Sequence, residues 1–313
     1  MSSKLCQILA SIVAFSAWLS VDDIFAQESP FVVVLGIAQD GGYPQAGCRK
    51  NCCALLEPNL SEAPAAIAIV DPVSNQRWIF ECTPQFPRQL QLLDRTFATK
   101  KSPGIDGIFL THAHIGHYAG LIHLGREVMG TKEVPVFAMP RMRIFLTENG
   151  PWSQLVKLKN IALQPLEEST SIKLNERLRV TPITVPHRDE FSETVAYKVT
   201  GPKRSLLFLP DIDKWSRWET RIEMLIADVD VAYLDATFFD DSELPGRNMA
   251  EIPHPFVVES IKRFGTLSKE DRAKVRFIHL NHTNPALRVD SSERATIQRA
   301  GMGVAKTGER VSL

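Results

Sequence analysis

The segment Leu110-Thr111-His112-Ala113-His114-Ile115-Gly116-His117 constrains this chain more than any other. It places three histidines within six residues, directly after an apolar run, Ile105 to Leu110, that predicts a buried strand. His112 and His114 are two apart, so the end of a strand can aim both at one point. His117 opens a predicted helix and can aim at a second point beside the first. Neutral imidazole is the commonest protein ligand for zinc and related ions. Three imidazoles at this spacing, between a strand and a helix, predict a metal site.

Composition bounds the partners. The chain has 313 residues, 44 % of them hydrophobic, enough for a full core. Its 36 basic and 36 acidic residues cancel, and no basic stripe is present. Binding to a nucleic-acid backbone rests on clustered Lys and Arg, so a small-molecule substrate is expected instead. The sequence carries no signal for an oligomeric state.

Lys4 precedes an apolar run from Leu5 to Val21, and Phe25-Ala26-Gln27 follows. This pattern predicts a secretory leader over residues 1–26, cut after Ala26. The alternative is an uncleaved anchor, although a 17-residue stretch is at the short limit for a span. Export, to a periplasm or the medium, would permit disulfides. Cys48, Cys52, Cys53 and Cys82 then either pair or hold a structural metal, with Cys82 or a histidine completing the set.

Residues 27–313 contain no linker-like stretch and predict one domain. Strands are expected at Phe31 to Ile37, Ala65 to Val70, Trp78 to Phe80, Leu178 to Val185, Thr194 to Val199, Ser205 to Leu209, Val231 to Leu234 and Lys274 to Leu280. Helices are expected at Pro87 to Phe97, from the histidine motif to near Gly130, at Pro255 to Phe264 and at Ser292 to Arg299. The class is α/β or α+β with more than one sheet layer. His187, Asp211, Asp235 and His282 each follow a predicted strand. Strand ends at one sheet edge converge, so these four can meet the histidine motif.

The order HxHxxH, then a lone His, a lone Asp and a lone His, resembles the metallo-β-lactamase superfamily. That resemblance implies a four-layer αββα sandwich of two mixed sheets, with metal along one edge. It implies a first metal on His112, His114 and His187, a second on His117 and His282, and Asp211 between them. His279 is the alternative to His282. Further segments resemble the pyrroloquinoline quinone biosynthesis protein B family. They are Asp40-Gly41-Gly42-Tyr43-Pro44-Gln45, Val185-Pro186-His187-Arg188, Leu209-Pro210-Asp211-Ile212-Asp213 and His282-Thr283-Asn284-Pro285.

Two departures stand out. The superfamily carries Asp where this chain has Gly116, so the second site lacks a ligand there. The biosynthetic family typically lacks the first two histidines, and this chain has both. The likeness therefore implies fold and ancestry more than activity.

One or two zinc ions at such a site would acidify bound water to a pKa of about 7. That suits hydrolysis of an ester, lactone, amide or phosphodiester, with Asp211 as shared ligand or base. Asp235 and His254 resemble the proton-transfer pair of the ribonuclease Z branch and are expected to serve the leaving group. Fe(2+) also suits imidazole and carboxylate ligands. An iron-dependent oxygenase linked to the quinone cofactor is therefore an alternative. A binding protein without turnover is a third.

Overall fold

The structure is a computed structural model that describes residues 29–57, 60–244, 246 and 248–313. The predicted leader lies outside the described residues. The first strand, β1 (Phe31–Gly36), shows why the chain builds layers. All of it after Phe31 is buried. Val32 and Val34 face one apolar cluster and Val33 and Leu35 another. The second cluster includes Phe86 and Leu93 of the helix Phe86–Thr96, which packs on β1. A strand covered on both faces has no polar side to alternate with, so its sequence is continuously apolar.

Two seven-stranded mixed sheets result. One comprises β1, β2 (Ala66–Asp71), β3 (Gln76–Phe80), β4 (Gly107–Phe109), β5 (Val134–Ala138), β6 (Ile161–Pro165) and, at its far edge, β14 (Arg310–Ser312). The other holds β7 (Ile172–Lys173), β8 (Arg179–Thr184), β9 (Val195–Thr200), β10 (Ser205–Leu209), β11 (Val231–Asp235), β12 (Val275–Ile278) and β13 (Gly303–Val304). Order within the first sheet is β14-β1-β2-β3-β4-β5-β6, and within the second β13-β12-β11-β10-β9-β8-β7. Strands β3 to β6 and β10 to β13 run parallel within their sheets. Parallel strands deliver their C-terminal ends to one edge.

Aromatic rings fill the space between the sheets. Phe80, Phe109 and Phe137 stack with centroids 4.6 and 4.3 Å apart, and Tyr197 meets Phe80 edge-on at 5.4 Å. Truncating a buried Phe such as Phe80 to Ala costs about 3–5 kcal/mol. The Tyr197 hydroxyl donates to the Leu110 carbonyl, fixing the chain where it leaves β4 toward the histidines. The sheets also join directly. Ala38, just past β1, bridges Leu280, just past β12. The Gln39 amide donates to the Leu280 carbonyl at 2.8 Å, and the Leu280 amide donates to the Ile37 carbonyl at 2.9 Å.

Two elements depart from the sequence expectation. The run after His114 is a short helix, Ile115–Tyr118, followed by a 3₁₀ segment, Ala119–Leu124. The Cys82 amide takes the His117 carbonyl, and the Cys82 carbonyl takes the Gly120 amide, so a longer ladder cannot form there. The strand predicted from Lys274 is shorter. Lys274 closes the helix Lys269–Lys274, and β12 ends at Ile278. His279 then turns out of the strand with φ 65°. No helix among the described residues is long and apolar enough to cross a membrane.

Candidate metal centre

Seven of the side chains gathered at the joined sheet edge follow a strand or end one. Asp40 comes after β1, His112 and His114 after β4, His187 after β8, Asp211 after β10, Asp235 ends β11, and His279 follows β12. His117 arrives on the short helix and His254 on the loop before the helix Val257–Phe264. Asp211 lies at the middle. Its Oδ2 is 3.3 Å from His112 Nε2, 3.2 Å from His187 Nε2 and 3.6 Å from His117 Nε2. Its Oδ1 is 3.2 Å from His254 Nδ1.

Three groups share this edge, with ligand atoms in each within 4.8 Å of one another. His112, His114, His187 and Asp211 form the first, Asp40, His117 and His279 the second, and Asp211, Asp235, His254 and His279 the third. His117 Nε2 stands 3.2 Å from Asp40 Oδ1, and His279 Nε2 3.8 Å from the same oxygen.

Neighbouring hydroxyls and carboxylates set which imidazole nitrogen faces inward. The Thr111 hydroxyl donates to Glu81 Oε1, so it accepts from Nδ1–H of His112 at 2.9 Å. That leaves His112 Nε2 as a lone pair toward Asp211. The Thr237 hydroxyl donates to Asp235 Oδ1 and accepts from His279 Nδ1 at 2.9 Å, which frees His279 Nε2 in the same way. His114 Nε2 lies 3.2 Å from Glu190, turning Nδ1 inward. Glu81, buried and held at φ 78°, lies 3.2 Å from His117 Nδ1. Such outer carboxylates and hydroxyls orient metal-binding imidazoles and raise their basicity.

The inward atoms are short of partners. Both ring nitrogens of His117 and His187, Nε2 of His279, and Oδ1 of Asp40 and of Asp211 are buried without a hydrogen bond. Buried polar atoms without partners are costly, and imidazole with carboxylate is a donor set that a divalent cation satisfies. The charges agree. Burial opposes ionisation of Asp211, yet His187, His254 and His279 hold its carboxyl well below the usual range. Asp40 is held low against burial by His117 and His279. Burial opposes charge on His117, but Glu81 and Asp40 push it well above the ordinary imidazole value. Burial and the neighbouring His117 hold His112 well below it. The residues present fit a bound cation.

The structure does not bring His282 to this group. It brings His282 to Cys48, Cys52 and Cys53, with ligand atoms within 4.8 Å of one another. The cause is the early end of β12: His279, not His282, is the first histidine past the strand, and it lies toward Asp40 and His117. Cys82 is likewise absent from the cysteine cluster. It is fully buried beneath the His117 helix, and its backbone pairs with His117 and Gly120. The cysteines among the described residues are free thiols. Burial pushes the Cys53 thiol up to about 12. Three thiols and one imidazole within reach match a closed structural zinc site.

Asp235 and His254 are in contact. His254 Nδ1 lies 2.9 Å from Asp235 Oδ2, and both are buried. Burial opposes charge on His254, but Asp235 and Asp211 outweigh it and push its pKa up to about 10. His254 also lines an adjoining cleft of about 720 Å³, together with Gln39, Gln45, Arg188, Asn281 and His282. Asp40, Glu81 and Thr237 went unread as site residues. Asp40 and Glu81 follow strands, so the strand-end rule that found His187 and Asp211 also reaches them.

Residues 70–280 match the Beta-lactamase superfamily domain. The chain is 26 % identical to coenzyme PQQ synthesis protein B of Methylorubrum populi, over 90 % of this chain and 99 % of that one. Among solved structures, Zn(2+)-bound PqqB from Methylobacterium extorquens superposes with a TM-score of 0.76 at 22 % identity, covering 90 % of this chain and all of the other. A diphosphatase from the PhnP family superposes with a TM-score of 0.63 at 18 % identity, covering 91 % and 97 %. The two facing mixed sheets, the metal-competent edge and the match over residues 70–280 make this chain a member of the beta-lactamase superfamily, built on the metallo-β-lactamase fold.

Proposed function

We propose that this protein is an exported metal-dependent hydrolase of a small anionic ester, with a phosphodiester the favoured class. One observation carries the reading. Asp211 belongs to the first ligand group and lies 3.6 Å from His117 of the second, and His254, held by Asp235, borders both Asp211 and an open cleft. Two zinc ions, one held by His112, His114, His187 and Asp211 and one by Asp40, His117 and His279, would supply Lewis acidity and an acidified water.

The chain's own residues supply the rest. Arg188, on the cleft wall, faces the charge of an anionic substrate. Asp235 fixes the His254 ring through Nδ1, so that Nε2 serves as the proton donor to the leaving oxygen. Glu81 and Thr111 keep His112 and His117 in register with Asp211. The leader pattern over residues 1–26 supports export.

The test uses the protein from Gln27 onward, loaded with zinc, on bis(p-nitrophenyl) phosphate and on the neutral ester p-nitrophenyl acetate. Turnover of the diester is expected. Arg188→Ala should raise KM for the diester and leave KM for the neutral ester nearly unchanged. Absence of turnover on either substrate would count against hydrolysis.

A second reading, an iron-dependent oxidation linked to coenzyme PQQ synthesis, has support in the 26 % identity to a coenzyme PQQ synthesis protein B over nearly the whole chain. Oxygen uptake by the iron-loaded protein, with no diester turnover by the zinc form, is the result that selects it.

A further inference from the structure

We infer that Asp40 is the carboxylate ligand of the second metal ion, and that it does the work of the aspartate this chain lacks at position 116. The inference rests on the two-ion reading of the centre given above.

Three observations meet at this point. First, the ligand gap is in the histidine motif itself, where Gly116 offers no side chain. Second, the space a side chain at 116 would need is already filled. A Cβ built on Gly116 falls 2.0 Å from Asp40 Oδ1, 2.7 Å from its Cγ and 2.5 Å from its Cα. Real Cβ atoms do not approach so closely, so Asp40 and any residue larger than glycine at 116 exclude each other. Third, the Asp40 oxygen in that space is buried, makes no hydrogen bond, and lies 3.2 Å from His117 Nε2 and 3.8 Å from His279 Nε2.

The backbone explains how a residue so distant in sequence arrives there. Asp40 directly follows Gln39, whose amide is bonded to Leu280, and Leu280 adjoins His279. The same pairing of the two sheets therefore delivers a carboxylate and an imidazole together. The loop continues through Gly42, which needs its φ of 75° to turn under Pro64 and Glu62. A ligand carried by this loop ties both sheets to the ion, whereas one at position 116 would come from the same helix as His117.

The experiment measures metal binding rather than turnover. Apo protein from Gln27 onward is titrated with zinc by calorimetry, and the metal content of the gel-filtered product is counted. Wild type should take up two ions at the imidazole centre besides the one at the cysteine cluster. Loss of an outer-shell partner alone typically weakens a metal site by about 10- to 100-fold. Asp40→Ala and the near-isosteric Asp40→Asn should weaken one of the two centre ions by at least that factor and spare the other. Gly116→Asp, which restores the superfamily residue, should also weaken that ion, because its side chain displaces Asp40. An unchanged second ion in Asp40→Ala, or a tighter one in Gly116→Asp with Asp40 kept, overturns the assignment of Asp40. A wild-type centre that takes only one ion overturns the two-ion reading itself, which distinguishes the two failures. Retention of the cysteine-cluster ion and of the far-ultraviolet circular dichroism identifies variants that remain folded.

Discussion

Asp235 and His254 form a buried pair 2.9 Å apart, and a second oxygen of the same carboxylate accepts from Thr237 at 2.7 Å. The pair sits between Asp211 and the open cleft. If His254 gives its proton to the leaving oxygen, its loss matters most where that oxygen needs a proton. His254→Ala and Asp235→Asn should therefore lower kcat by about 10²–10⁴-fold for a diester with a poor alkoxide leaving group. The same changes should cost far less with p-nitrophenolate, which leaves as an anion. Equal losses with both leaving groups would assign the pair to structure alone. Metal content should not change in His254→Ala.

His282 with Cys48, Cys52 and Cys53 joins two segments distant in sequence. One is the loop that carries Asp40, and the other begins at His279. Binding of a structural zinc is coupled to folding. His282→Ala or Cys48→Ser should release one ion per chain and lower the melting temperature by several degrees. Each should also weaken the ion assigned to Asp40 and His279, because the clamp on both segments is lost. A variant with an unchanged melting temperature and full metal content would show that the cluster holds no ion.

Glu243 gives the pH dependence of stability a definite sign. Its side chain is largely buried, and burial pushes its pKa up to about 7, although the Thr283 hydroxyl and the Phe239 amide donate to it. The folded state thus binds a proton that the unfolded chain releases near pH 4.3. The resulting stabilisation is fully present below about pH 4.3 and is lost as pH rises through about 7. Its size is up to about 3 kcal/mol. Glu243→Gln keeps the shape and removes the titration. Chemical denaturation at saturating zinc, from about pH 5 to pH 8, should show Glu243→Gln gaining on wild type as pH rises. Parallel curves would mean that Glu243 ionises freely in the folded protein.

Much of the centre was legible because its residues sit at strand ends. His112, His114, His187, Asp211 and Asp235 each follow or close an apolar run whose length the sequence displays. His282 was misplaced because Lys274 to Leu280 is apolar enough to pass for one strand. A helix consumes its first residue, and the positive φ of His279 ends the strand early. Asp40 was hidden among glycines that signal a turn, and a turn signal does not say what the turn packs against. Its role depends on the Ala38–Leu280 bridge, a contact between sheets that no local pattern encodes. The sandwich itself was visible in the doubly buried runs, such as β1. The pairing order and the far-edge strand β14 were not, because register is fixed by partners distant in the chain.

The central claim is that the centre around Asp211 holds two metal ions. The most direct test is metal content per chain for the protein from Gln27 onward, compared with Asp211→Ala, each purified without added metal and then equilibrated with zinc. The account predicts about three ions per wild-type chain, two at the Asp211 centre and one at the cysteine cluster. Folded Asp211→Ala should keep the cluster ion and lose most of the centre's metal. Full metal content in Asp211→Ala, or a wild-type chain with no ion beyond the cysteine cluster, would contradict it.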